Sequence, residues 1–534
     1  MKKILTSMMA CACLIGFSAC DSFLDEEPKS TLTSNLFYQD QSQIEQAVNY
    51  MYRNGAPNKL TGAGSAYMGN ISTVNSMLTG YFQNIYEGQE SICEYARKLT
   101  RVGNEQIISK SMDDLWDACY RAINSANMVL MSAPEVTFDS DATKAQLIAE
   151  AKFFRAWNYF FLVKLYGDVP FYTEPTESSD ADLALPRTAT STIYAQIESD
   201  LQEAVATLPA ATFADNKFRV TKYAAAMLLA DVYFYQGKHA DAANAIKPVL
   251  NSDHALTAHK AEITAANYET TKLESAWNQL RTTDGLAETI YAYEYQGGIS
   301  NASRWSPMAF DASILSWGDD CKYSIAERIY GPIPSYLNVY EEGDMRALPN
   351  QFYHWEFTHP EKSNLKWSRT KEQGPGAWYF YTYEDMFVDG KSSKDRNIYR
   401  YAEALLLAAE AIAQSGTVAE AAPYLAKVQA RAYMNETEAT LTAKLSAMSK
   451  EAFVEECWKE RLRELPFDFK IWDDCVRTKK FPVISKTTMG DVKFVDLVGA
   501  QNASNATIKE SDLLWPISPD ELQRNPNLTQ NPGY

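Results

Sequence analysis

Histidine is scarce in this chain, and metal-binding spacing is absent. The five histidines, His239, His254, His259, His354 and His359, are scattered. No HExxH or CxxC stretch occurs, which excludes the common zinc designs. Cysteine is also sparse: of eight, Cys11 and Cys13 lie in an apolar leader and Cys20 directly follows it. The remaining Cys93, Cys119, Cys321, Cys457 and Cys475 are odd in number and irregularly spaced, so no disulfide framework is expected, while a single pair stays open. Positive charge is short, with 50 Lys and Arg against 68 Asp and Glu, for a net charge of -18. Loss of Lys2 and Lys3 with the leader would move this to about -20, a balance that repels phosphate backbones and excludes nucleic acid as a partner. Beyond the leader no apolar run reaches the roughly 20 residues that span a bilayer. A GxSxG elbow and a phosphate-binding glycine loop are missing too. Carboxylate pairs such as Glu456/Glu460 and Asp473/Asp474 fall in helix-like sequence, where solvated charge and capping account for them, so the chain reads as non-catalytic.

What is present begins with a leader. Lys2 and Lys3, the apolar stretch from Ile4 to Phe17 and the small pair Ser18-Ala19 form a signal peptide over residues 1–19. Cys20 stands where a lipoprotein thiol takes its diacylglycerol. Asp21, Asp25, Glu26 and Glu27 make residues 20–36 an acidic tether, and the lipid is the only membrane anchor expected.

The 46% hydrophobic and 12% aromatic content supports a large core. Helical spacing predicts helices over 37–52, from 112 onward, 145–166 and 191–208, with residues 54–110 read as long loops. Ala230, Tyr233, Gly237 and Ala242 have the spacing of a tetratricopeptide hairpin, and Ala409, Ile412, Gly416 and Ala421 repeat it. Between the repeats the periodicity fails. Trp277, Trp305, Trp317, Trp355, Trp367 and Trp378 crowd into residues 270–390. There Tyr291 to Tyr295 and Tyr379 to Tyr383 alternate like short strands. The expected fold is all-α: a tetratricopeptide-like scaffold (37–269 and 391–534) with a loop-rich, aromatic-rich lobe (270–390) containing short strands.

Several blocks in order carry a family resemblance. They are Phe23-Leu24-Asp25 with Pro28, Thr33 and Phe37-Tyr38; Glu150 to Trp157 running to Tyr166-Gly167-Asp168-Val169-Pro170; Arg400 to Leu406 with Glu410-Ala411; and the closing Leu514-Trp515-Pro516-Ile517-Ser518-Pro519 with Asn531-Pro532-Gly533-Tyr534. On these the chain resembles the SusD/RagB family of Bacteroidetes outer-membrane lipoproteins. Asp468, Phe469 and Ile471 depart from the family's usual Glu, Gly and Arg, which puts a local ion pair in question. The resemblance implies a surface-facing, lipid-anchored outer-membrane protein. It would act as lid and receptor for a SusC-like TonB-dependent transporter and bind oligosaccharide. Peptide or another nutrient as ligand, or a mainly structural lid, are the alternatives.

A saccharide receptor needs aromatic platforms beside hydrogen-bonding side chains. Two stretches supply both: Tyr81, Asn84 and Tyr86, and Asn301, Arg304, Trp305, Trp317, Asp319 and Tyr323. Trp305 and Trp317 are the expected platforms, with Arg304 and Asp319 as polar partners. Asp319 and Asp320 alone fall far short of a calcium ligand set, so no cofactor is expected.

Overall fold

The computed structural model describes residues 37–61, 71–85, 91–176, 184–296, 305–323, 330–388, 390 and 393–534. The leader, Cys20 and the tether lie outside these residues. Long helices form wherever a cap precedes an apolar-periodic run. Ser140 accepts from the Thr143 amide to start Asp141–Tyr166, and Thr221 accepts from the Ala224 amide to start Lys222–Tyr235. Each such cap is worth about 1 kcal/mol. Glu105–Ser132, Asp141–Tyr166, Thr190–Thr207, Lys222–Tyr235 and His239–Ala245 pack successively on one another. The stack then continues across a large sequence gap, as His239–Ala245 packs against Tyr401–Ser415, which pairs with Val418–Ala432. Both expected hairpins therefore exist and adjoin. Gly237 turns the first at φ +72, a left-handed conformation that a Cβ would strain. Gly416 ends the helix of the second, and Thr417 with Glu420 forms a capping box for the next.

Residues 54–110 are not simply loops. They include short helices at Ala56–Thr61, Ile71–Met77 and Ser91–Lys98, and the long helix already starts at Glu105. These helices are too short to show a clear period. The strand expected at Tyr291 to Tyr295 is present as Thr289–Tyr293, paired antiparallel with Arg396–Arg400. Tyr379 to Tyr383 is not a strand. Trp378–Phe380 is a 3-10 turn, and the residues from Trp378 to Thr382 are all buried, so their alternation reflects no sheet face.

The resemblance blocks meet in space. The Trp515 amide donates to the Leu165 carbonyl at 2.8 Å, and the Asn531 side-chain amide donates to the carbonyls of Tyr166 (3.1 Å) and Trp515 (2.8 Å). The segment from Trp515 to Asn531 thus bonds two of the orphan carbonyls at the end of Asp141–Tyr166. Asp468 keeps the questioned ion pair, since both its oxygens accept from Arg400 at 2.9 and 2.8 Å. Phe469 holds φ +60, so the left-handed backbone persists without glycine, and its ring lies 5.8 Å from Trp305.

The lobe has its own small core around Phe310, Ile314, Phe357, Trp367, Trp378 and Phe387. A buried ion network fastens it to the scaffold. Arg346 pairs with Asp344 (2.7 Å), Glu460 (2.5 Å) and Glu464 (3.1 Å). Arg400 and Arg431 each bridge Glu288 and Glu464 at 2.5–3.0 Å. Charges removed from water this way are costly unless fully paired, and their pairing fixes one relative placement of lobe and helices. All five cysteines beyond the leader region are buried.

Candidate functional site

The predicted site residues separate into three groups. Tyr81 and Asn84 are core: Tyr81 is 4% exposed, its hydroxyl donates to the Pro482 carbonyl at 2.8 Å and accepts from the Ile484 amide at 2.9 Å. Asn84 is 2% exposed. Trp305, expected as a platform, is also core, at 5% exposed. Phe380 lies 5.1 Å and Phe469 5.8 Å from its ring, and the Arg396 guanidinium covers it at 5.0 Å. Trp305 sits where the lobe joins the scaffold, so side chains distant in sequence converge on its ring. Tyr86, Asn301 and Arg304 lie outside the described residues.

Trp317 and Tyr323 pack on the small lobe core without being fully buried, and Asp319 is exposed. Ala312–Asp320 is a 3-10 segment kinked at Gly318, whose φ of +60 turns the chain back after Trp317. Trp317 is half-buried, near-parallel to Phe357 (6.2 Å) and Phe387 (5.8 Å). Support by two rings of the lobe core fixes the indole while part of it stays in solvent. His359 lies 5.8 Å from Trp317, and Tyr383, partly exposed, lies 6.4 Å from His359 and 5.8 Å from Phe387. Tyr383 and His359 were not foreseen as site residues; the aromatic run at Tyr379 to Tyr383 was the available signal. Hydrogen bonding to Glu361 raises the Tyr383 phenol, so it stays protonated with its hydrogen given to that carboxylate and its oxygen left to accept. Tyr323 donates to Asp385, a buried carboxylate that also accepts from the Ser306 amide. This hydrogen bond ties the Tyr323 side chain to the lobe.

Asp319 is exposed, and Asp320 is engaged by Lys362 at 2.5 Å. With one of the two carboxylates neutralised, this turn offers no cation cage. Among the described residues no group of three His, Cys, Asp or Glu is placed to hold a metal ion. The lobe core thus carries a partly buried indole and two partly buried phenols, with an exposed carboxylate two residues after the indole. Such side chains can stack on flat C–H faces and hydrogen-bond hydroxyls.

Stacked helical hairpins carrying a loop-built aromatic lobe define a helical-repeat scaffold protein with an inserted lobe. Comparison with known proteins makes this specific. Residues 22–234 match the family model described as starch-binding associating with outer membrane, and residues 340–534 match that of the SusD family. The chain belongs to the SusD/RagB family. It is similar to SusD-like protein P2 of Formosa agariphila, at 26% identity over 100% of both chains. Among solved structures it resembles a SusD superfamily protein from Parabacteroides distasonis, with TM-score 0.76 and 23% identity, covering 94% of this chain and 100% of that one. It also resembles surface glycan-binding protein A of Bacteroides thetaiotaomicron in complex with laminarihexaose, with TM-score 0.67 and 17% identity, covering 92% and 100%.

Proposed function

We propose that this chain is a non-catalytic, cell-surface glycan-binding lipoprotein, anchored through Cys20, that serves as lid and receptor for a SusC-like TonB-dependent outer-membrane transporter in nutrient uptake. The observation that carries the binding role is the ring-supported, partly buried Trp317, with Tyr323 and Tyr383 packed on the same small core and Asp319 exposed, on the lobe of a SusD/RagB scaffold. A similar fold holds laminarihexaose. Trp317 supplies the stacking face, while Asp319 and the phenols supply hydrogen bonds that orient sugar hydroxyls. The anchor and surface position rest on the leader motif and the family. No helix of the described residues is long and apolar enough to cross a membrane.

Affinity electrophoresis against a panel of neutral polysaccharides, laminarin among them, tests the reading. Retardation by at least one glycan, weakened by Trp317→Ala, is expected, and migration unchanged in every gel would overturn it. Co-purification of a TonB-dependent transporter with the full-length lipoprotein from outer membranes tests the lid role. Labelling of intact cells with an impermeant reagent tests the orientation.

A further inference from the structure

A cavity of about 910 Å³ lies on the scaffold, between Gln41–Arg53, Glu105–Ser132 and the helix Pro519–Arg524. None of its lining residues belongs to the lobe. Its size falls within the roughly 300–1,000 Å³ of small-ligand sites. Four tyrosines, Tyr38, Tyr50, Tyr120 and Tyr172, line it, and Tyr50 is 38% exposed. Two of these rings are held in place. The Tyr120 hydroxyl donates to the Pro170 carbonyl at 2.8 Å. The Tyr172 backbone is pinned by Tyr159, whose hydroxyl accepts from its amide at 2.7 Å and donates to its carbonyl at 2.9 Å. The two rings meet edge to face, 5.9 Å apart at 86°. Ordering that is complete before a ligand arrives reduces the cost of binding.

The polar lining is balanced. Asp117 and Glu521 face Arg121 and Arg524, so no net charge recruits an ionic ligand. Arg121 only grazes Asp114 and Asp117 at 3.7 Å, with more than half its side chain in water. It is therefore free to turn to a ligand hydroxyl. Among the described lining residues the aliphatic side chains are Ala184, Pro170, Ile123 and Leu528, so aromatic rings and polar groups make up most of the wall. The helical walls pair their backbone groups internally, and in the coil wall the amides of Tyr172 and Thr176 are already bonded to Tyr159 and Asn124, so these walls offer little to an extended peptide.

We infer that this tyrosine-lined cavity is a second saccharide-binding site, taking a neutral oligosaccharide independently of the Trp317 surface. The inference deepens the glycan-binding reading and rests on it. Two sites on one rigid scaffold would hold separated parts of one long glycan, or two chains at once, and raise avidity without new contacts.

Calorimetric titration of the intact mature protein with laminarihexaose and a panel of neutral oligosaccharides tests this. The variants are Tyr50→Ala, the double Asp117→Ala/Arg121→Ala and Trp317→Ala, each checked for an unchanged melting temperature. Tyr50, Asp117 and Arg121 are solvent-facing, so these changes leave the fold intact. For a saccharide that binds, the expected result is a component that survives Trp317→Ala and weakens at least tenfold in the cavity variants. Loss of all binding in Trp317→Ala with none in the cavity variants would overturn the second site and leave the proposed function standing. No binding by any oligosaccharide would overturn both. Cavity-dependent binding of a peptide mixture but of no saccharide would overturn the ligand class.

Discussion

Glu464→Gln probes how the lobe is fastened to the scaffold. Glu464 is fully buried and accepts hydrogen bonds from Arg431 at 2.6 Å, Arg400 at 3.0 Å and Arg346 at 3.1 Å. Burial by itself would raise its pKa, but the three guanidinium groups outweigh this and hold it at about 2, against an ordinary 4.5. At roughly 1.4 kcal/mol per pH unit, that preference amounts to about 3 kcal/mol. Removing one partner of a buried pair typically costs a similar ~3–5 kcal/mol. Glutamine keeps the shape, but it removes the charge and turns an amide donor toward guanidinium donors. The folded pKa is depressed, so the contribution is present above 4.5 and is lost as pH falls toward about 2. Urea unfolding followed by tryptophan fluorescence is therefore expected to show Glu464→Gln less stable by about 3 kcal/mol at pH 7. The gap from wild type should narrow as pH falls below 4.5 and close only near pH 2. Asp319→Asn, at an exposed position, should stay within about 0.5 kcal/mol and serves as control. A Glu464→Gln protein as stable as that control at pH 7 would refute the idea that this network secures the lobe.

Trp305→Ala is expected to act as a core truncation, lowering stability by about 3–5 kcal/mol in thermal or urea melts. Gly376→Ala would place a Cβ 1.9 Å from the Ala309 carbonyl oxygen and 2.6 Å from the His354 ring, so a lowered melting temperature is expected by calorimetry. Asp395 is pushed up to about 7 by burial and by neighbouring Asp284. Its folded pKa lies above the unfolded value, so its stabilising contribution is present at acid pH and declines as pH rises toward 7. Asp395→Asn should thus gain stability over wild type at pH 8 and lose that advantage near pH 4, read from melting temperatures across pH.

The helical scaffold was legible because its signals are local. Ala230, Gly237 and Ala242 sit where two helices must approach and turn, and the structure places them there. Aromatic spacing in the lobe carried less information. Trp305 and Trp317 look alike in sequence, only twelve positions apart in loop-like surroundings. One is covered by Phe469 and Arg396, which arrive from distant segments, and the other projects from a kinked turn on a small satellite core. Long-range convergence decides which ring stays in solvent, and no local pattern records it. The same holds for Asp468. Its departure from the usual Glu seemed to threaten an ion pair, yet the shorter carboxylate still reaches Arg400 with both oxygens.

Whether the lobe holds glycan on Trp317 is decided by titrating laminarihexaose and related neutral oligosaccharides into wild type and Trp317→Ala. The substitution is expected to weaken the lobe-dependent component at least tenfold while the melting temperature is unchanged. Superimposable isotherms for the two proteins, with a glycan that binds, would contradict it.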